Sequence, residues 1–148
     1  MNQSKLLVRK ITVKDHKPWL EMRMQLWPDS QDLHEKEIHE FSSDPNFVAL
    51  IAEDDAAPVG FLESYIRPFA NGCDSRPVPF LEGIWVSPVH RKKGVSKDLI
   101  SAFEDWARSQ GFHEVGSDVD ISNQRSISAH ESWGFEERER VVYFRKKI

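Results

Sequence analysis

Cysteine is almost missing from this 148-residue chain, and Cys73 alone cannot close an internal disulfide. No His/Cys spacing resembles a zinc site, so no metal is expected. Cys73 lies in Asn71-Gly72-Cys73-Asp74-Ser75, a turn-rich loop with no base beside it, and a nucleophilic thiol is not expected there. Long apolar runs are lacking too: no window approaches the roughly 20 apolar residues of a membrane span. The opening MNQSKLLVRKI has no apolar signal-peptide core, so a cytoplasmic protein without a membrane partner is expected. A basic excess is also lacking. The net charge of -4 argues against sequence-independent binding of nucleic acid, which needs a basic face. Neither G-x-x-x-x-G-K-[ST] nor G-x-G-x-x-G occurs, which removes the common nucleotide loops. There is no repeat, linker or low-complexity tract.

What is present is enough for a core. Apolar residues make up 39% of the chain, with nine Phe and five Trp, so a packed interior is expected rather than disorder. The length suits one domain over 1–148.

Periodicity then orders the elements. Residues 6–12 read as a strand, and Thr12 and Asp15 have capping-box spacing before a helix. That helix carries Trp19, Met22 or Arg23, and Leu26 at helical intervals and stops near Trp27-Pro28. A more polar helix spans Ser30 to Phe41. Residues 47–53 and 59–66 read as a hairpin, and 67–79 as a loop long enough to suggest function. Strand 80–86 reads as buried. Val95, Leu99, Ala102 or Phe103, and Trp106 mark an amphipathic helix over 94–110, ending at Gly111. A strand over 114–120, a helix over 123–133 and a last strand over 140–146 complete the chain. This mixed order predicts an α/β fold of α+β-like character, a central mixed sheet flanked by helices. The unit over 80–120 is expected to be a right-handed parallel crossover.

The run Arg91-Lys92-Lys93-Gly94 precedes the strongest helix of an acidic chain. First-turn amides lack partners and the helix dipole adds positive charge, so such a loop suits an anion. Gly94 would let the backbone approach a phosphate closely. A merely solvated basic face is the alternative.

Arg91-Lys92-Lys93-Gly94-Val95-Ser96, following Val86-Ser87-Pro88, resembles the R-x-x-G-x-[GA] pyrophosphate loop of the GCN5-related N-acetyltransferases (GNAT). Ser122-Asn123, followed by Ala129-His130-Glu131-Ser132-Trp133-Gly134-Phe135, is similar to that family's next motif. Ser96 stands where Gly or Ala is usual, and His130 where many relatives place a tyrosine. A narrower resemblance rests on five stretches: Arg23 to Pro28, Asn71 to Ser75, Phe80 to Ile84, Ser117-Asp118, and Glu139 to Val141. These look like the aminoglycoside 6'-N-acetyltransferases, which also carry His at the position of His130. Phe69 stands where those enzymes often have Tyr.

The resemblance implies the GNAT acyl-CoA N-acyltransferase fold and direct transfer of acetyl from acetyl-CoA to an aminoglycoside 6'-amine. The coenzyme arm would bond to main-chain groups of Ile84, Trp85 and Val86, with a backbone N–H near Val86 polarising the thioester. Asn123 would hold the pantetheine. Trp27, Phe69, Glu82, Asp118 and Glu139 would meet the antibiotic, although Trp27 could equally be core and Glu139 alone would read as surface charge. Glu82 or Asp118 would take the amine proton, and His130 or Tyr143 would return one to the thiolate. Residue chemistry supports a cationic substrate. Glu82 lies mid-strand among apolar neighbours, where a carboxylate is costly unless paired or facing a wet cleft. An ion pair with Arg23 or Arg67 is its alternative role, and a cap or turn role that of Asp118. Relatives of this kind are commonly homodimers, and the segment 140–146 offers a pairing strand. The rival functions are acetylation of another amine (a polyamine, a small metabolite or a protein N-terminus) and non-catalytic sensing of acyl-CoA.

Overall fold

The computed structural model describes residues 6–148, and its frame is a five-stranded sheet in the order β1-β2-β3-β4-β5. The strands are β1 (Leu6–Lys10), β2 (Phe47–Asp54), β3 (Ala57–Arg67), β4 (Val78–Val86) and β5 (Gly116–Ser117). The first four pair antiparallel in sequence, and β5 joins β4 in parallel. Helices α1 (His16–Leu26) and α2 (Gln31–Ser42) separate β1 from β2, α3 (Val95–Ser109) connects β4 to β5, and α4 (Gln124–Ser132) follows β5. The mixed sheet with its crossover helix agrees with the expected fold class.

The sheet divides two apolar layers. On one face Val95, Leu99, Ile100 and Phe103 of α3 pack on Leu50, Leu62, Leu81 and Val86. Leu99 and Phe103 are fully buried, a gain of about 1.5–3 kcal/mol for each such side chain. On the other face Trp19 and Met22 of α1 and Ile38 of α2 cover Ala49, Ile51 and Phe61. The β2–β3 hairpin turns at Asp55 and Ala56, both with positive φ, the backbone that a two-residue turn needs to match strand twist. At the start of α1, the Thr12 N–H donates to Asp15 Oδ2 at 2.7 Å, as the capping spacing predicts. Arg9 also grips Asp15 with both its terminal nitrogens, and this guanidinium holds the carboxyl well below the usual range.

Two strand expectations are corrected. Residues 114–120 were expected to form a strand, yet only Gly116 and Ser117 pair, opposite Phe80 and Leu81. Beyond them β5 leaves β4, and Asp120 accepts from the Ser122 N–H at 2.8 Å to turn the chain into α4. Residues 140–146 form no strand. The continuous run Val141-Val142-Tyr143-Phe144 is rich in strand-forming types, but among the described residues no neighbour pairs with it, and Val142, Tyr143 and Phe144 stand 77–93% exposed.

Candidate active site

The site is organised by an irregularity in β4. Glu63 lies opposite Gly83 and Ser64 opposite Leu81, so Glu82 is an extra residue, a β-bulge. The bulge shifts the alternation of the strand by one: Leu81 and Ile84 both pack with the α3 layer, although they are three residues apart. Gly83 faces the opposite layer, where a side chain could not fit. A Cβ there would stand 2.4 Å from the ring of Trp27. The half-buried Trp27 therefore lies on bare backbone beside Glu82, and its indole meets Phe61 edge-on.

Trp27 is held from behind by a buried network. Arg23 is 2% exposed and pairs with Glu63, itself 2% exposed, and with Glu37. The Trp19 indole N–H donates to the same Glu63 oxygen at 2.8 Å. Arg23 Nε donates to His34 Nδ1 at 3.2 Å, which leaves the His34 proton on Nε2 to be donated to the Trp27 carbonyl at 2.8 Å. The Arg23 guanidinium lies 5.0 Å from the Trp27 ring centroid, within cation–π range. Sequence reading missed Glu63 and His34; Glu63 sits in an apolar strand much as Glu82 does, and only burial tells them apart.

Glu82 is held by Arg67, not Arg23. The two oxygens accept from Arg67 Nε at 2.8 Å and Nη2 at 2.7 Å, a bidentate fork. The guanidinium carbon lies 3.6 Å from the Phe80 ring centroid. Hydrogen bonding to Glu82 raises the Arg67 pKa above its usual value against the effect of burial, with the charges of Glu82 and Asp118 adding. Arg67 also stands at the edge of a cleft of about 1300 Å³, lined by Phe80, Asp118, His130, Glu139 and Tyr143 among others. Asp118 is exposed there and makes no hydrogen bond or ion pair among the described residues. Phe69 is 58% exposed outside this lining, under Arg76 at 5.6 Å.

His130 ties α4 to β5. Its Nδ1 donates to the Ser126 carbonyl at 2.7 Å, so Nε2 accepts from the Ser117 hydroxyl at 2.7 Å. Both nitrogens are engaged, while Tyr143 is 77% exposed in the tail. Asn123 caps α4, its Oδ1 accepting from the Ser126 N–H at 3.1 Å. Cys73 packs against Gly116 and Phe80, and burial pushes its thiol up, which suits an inert residue.

The other half of the site is backbone. After Leu81 no strand among the described residues pairs with β4 on the β5 side, so the edge over 82–86, including Ile84, Trp85 and Val86, is open. At the end of that edge the Arg91 Nε donates to the Val86 carbonyl at 3.0 Å. Arg91, Lys92, Lys93 and Gly94 are exposed, Val95 is buried and Ser96 half-buried. Gly94 has φ +86° as the N-cap of α3, with nothing within 4 Å of a Cβ placed on it. An open strand edge that leads to a free helix N-terminus suits an extended chain of amides ending in phosphates.

Comparison with known proteins agrees. The sequence model described as the Acetyltransferase (GNAT) family matches residues 14–135. The chain is 43% identical to an aminoglycoside N(6')-acetyltransferase type 1 of Acinetobacter haemolyticus over 133 residues, 89% of this chain and 92% of that protein. It is 42% identical to the protein of the same name in Klebsiella aerogenes over 147 residues, 96% and 97% of the two chains. The fold matches a structure of AAC(6')-Iy in complex with the bisubstrate analog CoA-S-monomethyl-acetylneamine. The TM-score is 0.94 and the identity 38%, over 98% of this chain and 100% of that one. It also matches the 6'-N-acetyltransferase AAC(6')-Ih of Acinetobacter baumannii at a TM-score of 0.92 and 36% identity, over 97% and 99%.

Proposed function

Because the chain belongs to the GNAT acetyltransferase family, and within it to the aminoglycoside 6'-N-acetyltransferases, we propose that it transfers acetyl from acetyl-CoA to the 6'-amine of an aminoglycoside and so confers resistance. The observation that carries this reading is two surfaces of one sheet: the open β4 edge running to the basic loop at α3, and a cleft with many carboxylates that reaches β4 at Phe80 and β5 at Ser117. The first fits a coenzyme and the second a polycation. Acetyl-CoA, when bound, supplies the thioester carbonyl that the amine attacks.

The chain's own residues do the rest. Main-chain groups of Ile84, Trp85 and Val86 hold the pantetheine, and the Asn123 side-chain amide helps to hold it. The amides that open α3 at Val95 and Ser96, with the charges of Arg91, Lys92 and Lys93, hold the pyrophosphate. Trp27 provides an apolar wall, and Phe69, Glu82, Asp118 and Glu139 receive the drug. The amine reaches neutrality by losing a proton to a cleft carboxylate or its water. His130 is committed to Ser117 and Ser126, so returning a proton to the thiolate requires one of those bonds to open or falls to Tyr143. Alignment of amine and thioester supplies much of the rate.

A thiol-release assay with acetyl-CoA tests this directly. Kanamycin and tobramycin are expected to turn over with a mass gain of one acetyl group, and an analogue bearing a 6'-hydroxyl is expected to fail. Turnover on spermidine alone would instead make this a polyamine enzyme, and coenzyme binding without any turnover a sensor.

The working unit in this reading is a cytoplasmic homodimer in which the segment 140–146 of one copy pairs beside β5 of the other. An exposed, continuous apolar run at Val141 to Phe144 and a sheet edge at β5 without a neighbour among the described residues support it. Deleting residues 140–148 is expected to turn a dimer into a monomer in sedimentation velocity. A full-length chain that sediments as a monomer at tens of micromolar would exclude the exchange.

A further inference from the structure

We infer that Arg67 is a positioning residue that makes Glu82 a fixed anion for the substrate, and thereby takes Glu82 out of proton abstraction. The inference rests on the aminoglycoside reading above.

Each Glu82 oxygen already accepts one charge-assisted bond from the Arg67 fork, at 2.8 and 2.7 Å. To act as a base, Glu82 would have to bind a proton while held in that fork, weakening a contact with a guanidinium that stays charged at every working pH. The fork cannot easily turn away. Its planar face lies 3.6 Å from the Phe80 ring centroid, and Phe80 is a buried residue of the same strand. The pair nevertheless remains useful to a cation. Each carboxylate oxygen keeps a second lone pair, so an ammonium or hydroxyl can be accepted without displacing Arg67.

The consequence concerns selectivity. As a unit the pair carries no net charge, so it offers direction more than long-range attraction. Acceptors fixed on a strand bulge recognise a rigid array of donors, such as an aminoglycoside ring, better than a flexible chain of amines. Overall attraction for the drug then comes from the carboxylates that line the cleft beside Arg67, Asp118 and Glu139 among them.

Steady-state kinetics of four variants test the assignment. Arg67→Met keeps an unbranched apolar side chain at this position but removes the fork. It is expected to raise the kanamycin KM about tenfold, the loss of one charge-assisted contact, with the acetyl-CoA KM unchanged. Arg67→Lys restores the charge but not the two-point geometry, so it is expected to recover only part of the loss. The double variant Arg67→Met/Glu82→Gln is expected to be no worse than Glu82→Gln alone, because Arg67 acts through Glu82. Glu82→Gln itself is expected to keep the acid limb of the kcat profile. Wild-type KM in Arg67→Met, full additivity in the double variant, or loss of the acid limb in Glu82→Gln would each overturn the assignment while leaving the aminoglycoside activity standing. A wild-type chain that acetylates no aminoglycoside would overturn both.

Discussion

Replacing Arg23 with methionine is expected to lower the free energy of unfolding by about 3–5 kcal/mol, the penalty for leaving one member of a buried ion pair without its partner. Arg23 and Glu63 are each 2% exposed, and burial already pushes the Glu63 carboxyl up against the pull of Arg23 and the Trp19 indole. Without the guanidinium, the Trp19 indole N–H is the side-chain donor that remains to Glu63 among the described residues. Small domains have about 5–15 kcal/mol of stability in all, so the change should appear as a large fall in the denaturant midpoint at neutral pH. The loss comes from a stranded charge rather than lost volume, so adding Glu63→Gln should return much of it. A single Arg23→Met variant with the wild-type midpoint would mean that water reaches Glu63. The same variant frees His34 from its Nε partner and hence loosens the Trp27 carbonyl. Drug KM should rise with it even under conditions where the protein remains folded.

Asp118→Asn is expected to cut kcat by about 100-fold or more, the usual scale of a lost general base, while the acetyl-CoA KM stays put. With Glu82 clasped by Arg67, Asp118 is the candidate carboxylate that accepts no bond from a donor among the described residues, at the point where β4 and β5 part. Asparagine keeps the shape and removes the proton acceptor. If kcat holds and only the drug KM rises, Asp118 is a binding residue and the amine loses its proton to solvent before it reacts.

The elements whose signal is local were legible from sequence. Helix α3 follows from apolar residues at helical intervals, and the β2–β3 hairpin from two apolar runs around a short turn. Pairing is not local, and there the reading failed. Val141 to Phe144 are β-branched and aromatic as a strand's residues often are, yet nothing in that run says which edge would receive them. Residues 118–120 continue the apparent strand of 114–117, but pairing stops where β4 and β5 separate, a property of two segments and not one. The site shows the same division. The basic loop and Gly94 stand out from composition and spacing, but only the family motif turns a solvated face into a candidate pyrophosphate loop. The partner of Glu82 could be narrowed to Arg23 or Arg67 but not chosen, because helix and strand offer each arginine at comparable reach. Glu63 escaped notice altogether, since a paired buried carboxylate and a functional one look alike in an apolar strand.

The open side of β4 also has a pharmacological meaning. Over residues 82–86 the strand presents a ladder with one rail missing, roughly 16 Å long at about 3.3 Å per residue. Main-chain rungs cannot be altered by point substitution without disturbing the strand itself. An inhibitor built as a short extended peptidomimetic, its amides in step with these rungs and an acidic end at Gly94, would therefore bind through atoms that resistance mutations cannot readily remove.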